Sequence, residues 1–403
     1  MIILGIETSC DDTCAAIIET DYQGQIQILS NIVSSQEKIH QQWGGIVPNL
    51  ARREHSKNLI FVLSQALEKA GMLMKKDRRD CVEEDEKYSL LVRNKIKKLE
   101  EILCREKDLA KKTKEFLLKY ERPKIDLIAV TDQPGLEPCL WIGKNFAQAL
   151  SFFWNISVNK INHLQAHISI SLLKATNHDS KFQIMKSEDL FPAIGLIVSG
   201  GHTQMILMEK SNVGNQNSLP FHSKILGETK DDAAGECFDK TARILGLGYP
   251  GGPVIAEKAQ QWQSAIRNLQ FAIHLPRPMI YQKNYDFSFS GLKTAVLYHY
   301  QTQDKKTQKD LHYIQEMCYH IQQAIIDVLI IKTIKAAKQY QVKSIVIGGG
   351  VVANQELRKQ FLAMIKKEIP RVQFLLPELK YSTDNAAMIA VQGYFQNKGK
   401  GKE

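Results

Sequence analysis

The chain has 403 residues, 44% of them hydrophobic and 24% charged, the balance of an ordinary globular protein with room for two or three domains of about 150 residues each. Lys and Arg outnumber Asp and Glu by 53 to 43, a net charge of +10, and such an excess favours a polyanionic partner because each neutralised phosphate releases counterions. No apolar run approaches the ~18 residues of a membrane span. The opening MIILGIETSCDD brings acids before a signal-peptide core could form, so a cytoplasmic protein with no membrane contact is expected. Seven cysteines, an odd number with no C-x-x-C pair, fit a reducing compartment and neither a disulfide framework nor a cysteine-rich zinc site.

In chain order, IILGIET, the polar turn SCDDT and CAAIIET predict a β-hairpin whose turn carries hydroxyls and the acids Asp11 and Asp12. A helix is predicted over 53–71. Residues 72–124 hold 17 basic and 12 acidic side chains among 53. There Val92, Ile96, Leu99, Leu103, Ala110 and Leu117 trace one apolar stripe on a helix of about eight turns. Glu106 and Thr113 interrupt the stripe and Pro123 ends it. The segment reads as a solvated helical excursion, with an RNA- or partner-contacting arm as the second reading. Its excision over 75–121 is expected to leave the fold intact.

Strands at 125–131, 192–200, 203–209 and 343–350 alternate with helices at 143–154, 235–247 and 318–340, which implies α/β layers. A hairpin near residue 5 and another near residue 196 suggest two related α/β domains.

Three glycine turns, VSGGHTQ (198–204), GLGYPGGP (246–253) and IGGGVVANQELRKQF (347–361), could let backbone approach a phosphate or carboxylate. Asn354 is placed to cap the helix after the third. None matches a Walker or dinucleotide fingerprint; together with the acidic hairpin they point to a nucleotide in a cleft between two domains.

INHLQAHISI, 161–170, sets His163 and His167 four apart, on one face of a helix. Such a pair serves structure or binds a metal, and Asp384 in STDNAAMIA would be a third ligand or a helix cap. Leu164, Gln165 and Ala166 fill the gap where a zinc protease carries its glutamate base, which disfavours proteolysis.

GIETSCDDT, GGIVPNLARREH, NHLQAHI, LIVSGGHTQ, GETKDDAAGECFDKTARILGLGYPGGP, FSFSGLKTAV, GGGVVAN and STDNAAMIA resemble, in order, the motifs of the TsaD family of tRNA N6-adenosine threonylcarbamoyltransferases. The resemblance covers nearly the whole chain except 72–124 and about 175–190. It implies a two-domain actin/Hsp70/sugar-kinase-like (ASKHA) fold with the active site in the interdomain cleft. The expected division is 1–160, an N-terminal subdomain carrying the charged insertion; 161–384, a metal- and nucleotide-binding subdomain; and 385–403, a C-terminal helix returning to the N-terminal subdomain.

The resemblance further implies one divalent metal, Fe2+ or Zn2+, on His163, His167 and Asp384. It implies substrate binding at Ile197, Val198, Ser199, Gly200, Gly201, Asp239, Gly252 and Asn354. The activity implied is transfer of threonylcarbamoyl from threonylcarbamoyl-adenylate to adenosine 37 of tRNAs reading codons that begin with A, in concert with TsaB- and TsaE-like proteins. Asp11 and Asp12 are candidates to steer or deprotonate the acceptor amine. Asp12 stands where the family usually has Glu, Ser382 where Cys is common, and 72–124 where the family has a connector of about ten residues. A small-molecule kinase or ATPase of the same superfold would leave the histidines without a role. A non-catalytic TsaB-like scaffold would lack them.

Overall fold

The computed structural model describes residues 1–21, 23–76, 86–176, 181–210, 221–265 and 273–398. The chain opens with β1 (Ile2–Glu7), β2 (Asp12–Thr20) and β3 (Gln25–Ser35), an antiparallel meander. Alternate residues of β1 and β2 enter two different apolar layers: Leu4, Ile6, Ala15 and Ile17 one, Ile3, Cys14, Ala16 and Ile18 the other. Both sheet faces are therefore covered, which is why these strands read as nearly unbroken apolar runs.

There follow α1 (Glu37–Gln41), α2 (Pro48–Lys69), α3 (Glu86–Ile102), α4 (Lys107–Lys119), β4 (Leu127–Gln133), α5 (Glu137–Trp154) and β5 (Ser157–Asn162). β4 lies parallel to β1 and β5 parallel to β4. Next come α6 (His163–Ser171), β6 (Leu173–Ala175) and β7 (Lys181–Ile184), completing a sheet of order β5-β4-β1-β2-β3-β7-β6. The first sheet thus extends past residue 160, because β7 pairs with the outer edge of β3.

After α7 (Ser187–Leu190), a second meander of β8 (Ala193–Val198), β9 (Thr203–Lys210) and β10 (Phe221–Glu228) begins the second sheet. α8 (Ala234–Ile244), α9 (Gly251–Ala265), α10 (Ser290–Thr302), α11 (Leu311–Gln339), β11 (Ser344–Gly348), α12 (Gln355–Glu368), β12 (Gln373–Leu375) and α13 (Ala386–Lys398) complete the described chain. Its order, β10-β9-β8-β11-β12, repeats β3-β2-β1-β4-β5 strand for strand, with the same three antiparallel and two parallel members. The duplication expected from the two hairpins is present, and with it the two-domain ASKHA architecture.

The charged segment departs from expectation. The predicted single helix is two, α3 and α4, broken at 103–106. Nor is it a solvated excursion: Leu99, Leu103, Leu109, Phe116 and Leu117 are buried in the first-lobe core with Leu59, Val62 and Leu63 of α2. Thr113, read as a break in the stripe, is buried too, its hydroxyl donating to the Leu109 carbonyl at 2.7 Å. Residues 77–85 of the segment lie outside the described residues.

α11 is long and apolar enough to cross a membrane, but 78% of its most apolar window is buried, and it forms the spine of the second-lobe core. α13 packs on the first sheet across β1, β2 and β4, and a side chain at Gly5 would collide with the Ala386 carbonyl, so this strand position requires glycine. Residues 399–403 of the expected C-terminal segment lie outside the described residues.

Candidate metal centre

α6 begins where β5 ends. The Asn162 side chain accepts the Gln165 N–H at 3.0 Å and caps the new helix. One flank, Ala166 and Ile170, packs under the first sheet; Ile168 and Leu172 pack under the second. The histidine pair is thereby held at the junction of the two lobes, with ring centroids 4.7 Å apart and edge to face.

Asp384 meets both rings. Its Oδ1 lies 3.1 Å from His167 Nε2 and 3.4 Å from His163 Nε2, and the three ligand atoms fall within 4.8 Å of one another. The choice left open for Asp384 is resolved by its neighbour: Asn385 Oδ1 accepts the Met388 N–H at 3.1 Å, so Asn385 caps α13 and Asp384 is free to face the histidines. Ligands each about 2.0–2.2 Å from a common ion stand roughly 3–3.5 Å apart, a separation that Asp384 Oδ1 already has from both Nε2 atoms.

Glu7 went unnoticed in the sequence. Fully buried, it accepts from Thr131 Oγ1 at 2.6 Å and from the Ser9 N–H, and it lies 3.0 Å from His163 Nδ1. With Nδ1 beside that carboxylate, His163 turns its Nε2 toward Asp384, the outer arrangement that orients a metal-binding imidazole. The only hint was a charged residue at the end of an otherwise apolar strand.

The charge balance favours a cation. Glu7, Asp11, Asp12 and Asp384 form no pair with Lys or Arg among the described residues. Burial works against the charged form of His163, yet Asp384 and Glu7 outweigh it and raise its pKa well above the ordinary value. Burial likewise opposes charge on Asp384, but His163 and His167 hold its carboxyl far below the usual range. A proton on His163 between two carboxylates stands where a metal's charge would fit, so this donor set suits a divalent ion.

Asp11 closes the turn before β2 and Asp12 is the first residue of that strand. Burial, then the Asp384 charge, pushes Asp11 up to about 6 and Asp12 up to about 7, and Asp12 Oδ1 is buried with no hydrogen-bond partner. His55 of α2 pins the turn: Nε2 lies 3.0 Å from the Cys10 carbonyl and Nδ1 2.8 Å from Thr13 Oγ1. Burial lowers its pKa to about 4, so it stays neutral and donates to the carbonyl.

A carboxyl raised in the folded state favours folding at low pH, and that contribution is lost as pH rises from its unfolded value, near 4, through about 7. Asp12→Asn is therefore expected to raise the melting temperature of the metal-free protein at pH 8, with the gap closing toward pH 4. A lower melting temperature than the parent at pH 8 would refute the assignment.

Of the other predicted residues, Ile197 and Val198 end β8 and are buried. Ser199, Gly200 and Gly201 form its turn, where a side chain at either glycine would meet open space. Gly252 also borders open space. Asp239 accepts the Gly251 N–H at 2.7 Å and so caps α9. Asn354 caps α12 as expected, accepting from Leu357 N–H at 3.0 Å and donating to Gln322 at 2.8 Å. Gly348 and Gly349 (φ +99°) press against the backbone of His167 and Val198, so the third glycine turn is packing as well as cradle.

Two residues missed in the sequence also feel the charges of the site. His202, half-buried, has its pKa lowered by burial and by the charges of His163 and His167. Tyr249 is pushed up by burial and then by Asp11, an effect that sets this second-lobe phenol against the acidic turn. Ser382 accepts from Arg358 Nη2 at 2.6 Å.

The family model for "TsaD: tRNA N6-adenosine threonylcarbamoyltransferase" matches residues 27–78 and 112–391. The chain belongs to the TsaD family. Relatives bearing that enzyme's name include one from Syntrophomonas wolfei, 37% identical over 98% of this chain and 92% of its own length. Another, from Thermosipho melanesiensis, is 37% identical over 98% of this chain and 94% of its own. Among solved structures, a ROK hexokinase from Thermus thermophilus aligns over 99% of both chains at 12% identity and a TM-score of 0.39, too low to carry an argument. The expected family is thereby established, and this TsaD-family chain spans nearly the whole of those relatives.

Proposed function

We propose that this chain transfers the threonylcarbamoyl group from threonylcarbamoyl-adenylate to N6 of adenosine 37 in tRNAs reading codons that begin with A. The observation that carries this reading is the His163–His167–Asp384 group, backed by Glu7 and set at the lobe junction. A kinase of the same fold has no use for it.

The acceptor is an exocyclic amine, a poor nucleophile, and the donor a mixed anhydride whose leaving group is AMP. The amine nitrogen attacks the carbamoyl carbon, the carbon–oxygen bond to phosphate breaks, and the N6 proton passes to a base. Asp11 and Asp12, with carboxyls raised to about 6 and about 7, sit near the working pH where general-base efficiency is greatest, worth about 10²–10⁴-fold. The open backbone at Gly200 and Gly201 receives the phosphate, and Gly252 and Asn354 border the nucleoside. His163, His167 and Asp384 would hold one Fe2+ or Zn2+ per chain, and the bound ion would supply Lewis-acid polarisation of the carbonyl.

The same reading assigns the enzyme to the cytoplasm, with TsaB- and TsaE-like proteins as partners. It divides the chain into a first lobe of 1–184 with 386–398 and a second lobe of 193–384.

Nucleoside mass spectrometry tests it. tRNA incubated with the protein, its partners, threonine, bicarbonate, ATP and the adenylate-forming enzyme is expected to yield N6-threonylcarbamoyladenosine. No modified nucleoside, alongside robust phosphotransfer to a small molecule, would favour the kinase reading instead.

A further inference from the structure

The stretch that the family model passes over, 79–111, carries α3 and the turn into α4. Contacts locate that turn. Glu106 pairs with Arg52 of α2 at 2.7 Å, and the Arg105 guanidinium lies 5.4 Å from the ring centroid of Trp141 on α5. The starts of α2 and α5 are the ends nearest the acidic turn: His55 reaches the Cys10 carbonyl, and Leu136 N–H donates to the Ser9 carbonyl at 2.8 Å. The hairpin therefore presents its turn at the cleft rim. From there the hairpin runs toward the close of α5, where Lys95, midway along α3, reaches the Phe153 carbonyl.

At this rim Arg53, Arg105 and Lys107 are exposed and form no ion pair among the described residues. The nearby acids Glu54 and Glu106 are paired, to Lys57 and Arg52, and exposed Asp108 and Glu137, the latter at the start of α5, offset two charges. Trp43, 64% exposed, stands on the loop entering α2. That loop is fixed by Val47 N–H on His40 Nδ1 at 3.3 Å and by Arg243 of the second lobe on the Gly44 carbonyl. Unpaired cations on the rim that also carries an exposed indole suit a polyanion with unstacked bases.

We propose that Trp43, Arg53, Arg105 and Lys107 form a docking surface for the RNA substrate. The cations meet backbone phosphates, and the indole stacks on an unpaired base of the anticodon loop. This rests on the tRNA reading above and extends it to a segment outside the family's shared core.

The test measures binding of an unmodified tRNA transcript by the full chain across a salt series. Arg53→Glu, Arg105→Glu and Lys107→Glu together are expected to weaken binding at least about tenfold and to reduce the slope of log K against log salt by about 2–3. The same change of charge at and after the close of α4, Lys119→Glu, Arg122→Glu and Lys124→Glu, should alter neither. Trp43→Ala should abolish RNA-dependent fluorescence quenching, while Trp43→Phe keeps the affinity. If the Glu variants misfold, Gln replacements provide the same comparison at smaller amplitude. Unchanged affinity and slope in the rim variant overturn the proposal. Unchanged binding with modification lost only when accessory proteins are required also overturns it, in favour of a protein contact. A parent enzyme that binds tRNA through this rim yet makes no modified nucleoside sinks the functional reading and leaves the rim standing.

Discussion

His163→Ala combined with His167→Ala is expected to bring bound metal from about one per chain to essentially none and to cut tRNA modification by on the order of 10³-fold, with the far-UV circular dichroism retained. Two of the three ligand atoms that now lie within 4.8 Å disappear, and a lone carboxylate holds a transition metal poorly. Glu7→Gln probes the same centre more gently. It keeps the shape beside His163 Nδ1 but removes the charge that raises the basicity of the imidazole, so metal affinity should fall about 10–100-fold. Metal analysis and nucleoside mass spectrometry on the same preparations decide both. Full transfer activity in a metal-free double variant would end the metal assignment.

Excision of α3 and α4 is expected to leave an insoluble protein, the reverse of what the charge density of the segment suggests. Leu99, Leu103, Leu109, Phe116 and Leu117 leave the first-lobe core with them. At about 1.5–3 kcal/mol for each large buried side chain, the loss is on the order of 10 kcal/mol, comparable to the whole stability of a domain. Leu109→Ala and Phe116→Ala isolate the effect from the linker; each should cost about 2–5 kcal/mol in denaturant unfolding. A soluble excision variant with an unaltered cooperative melt would show that the helices are dispensable.

What could be read in advance was local. The two hairpins, the cap at Asn354 and the pairing of His163 with His167 depend on residues a few positions apart, and each formed as its spacing requires. What could not be read was set by partners far along the chain. Glu7 becomes a determinant of the site only through His163, Thr131 and Ser9, and nothing within its own strand announces them. Asp384 and Asn385 were equally able to cap a helix, and only the fold assigns the cap to Asn385. The break at 103–106 was hidden because the apolar stripe of α3 continues into α4 across the turn, burying Leu99, Leu103 and Ala110 alike. Periodicity records which side chains seek the core and is silent on whether one helix or two deliver them.

Asp384 lies two residues before α13, the last described helix, which docks beneath the first sheet. A nascent chain still being synthesised exposes both imidazoles long before the third donor exists, and Gly5 of the opening strand must wait for Ala386 to close over it. A polypeptide that stopped before Asp384 would carry two of the three candidate ligands and leave the first sheet uncovered.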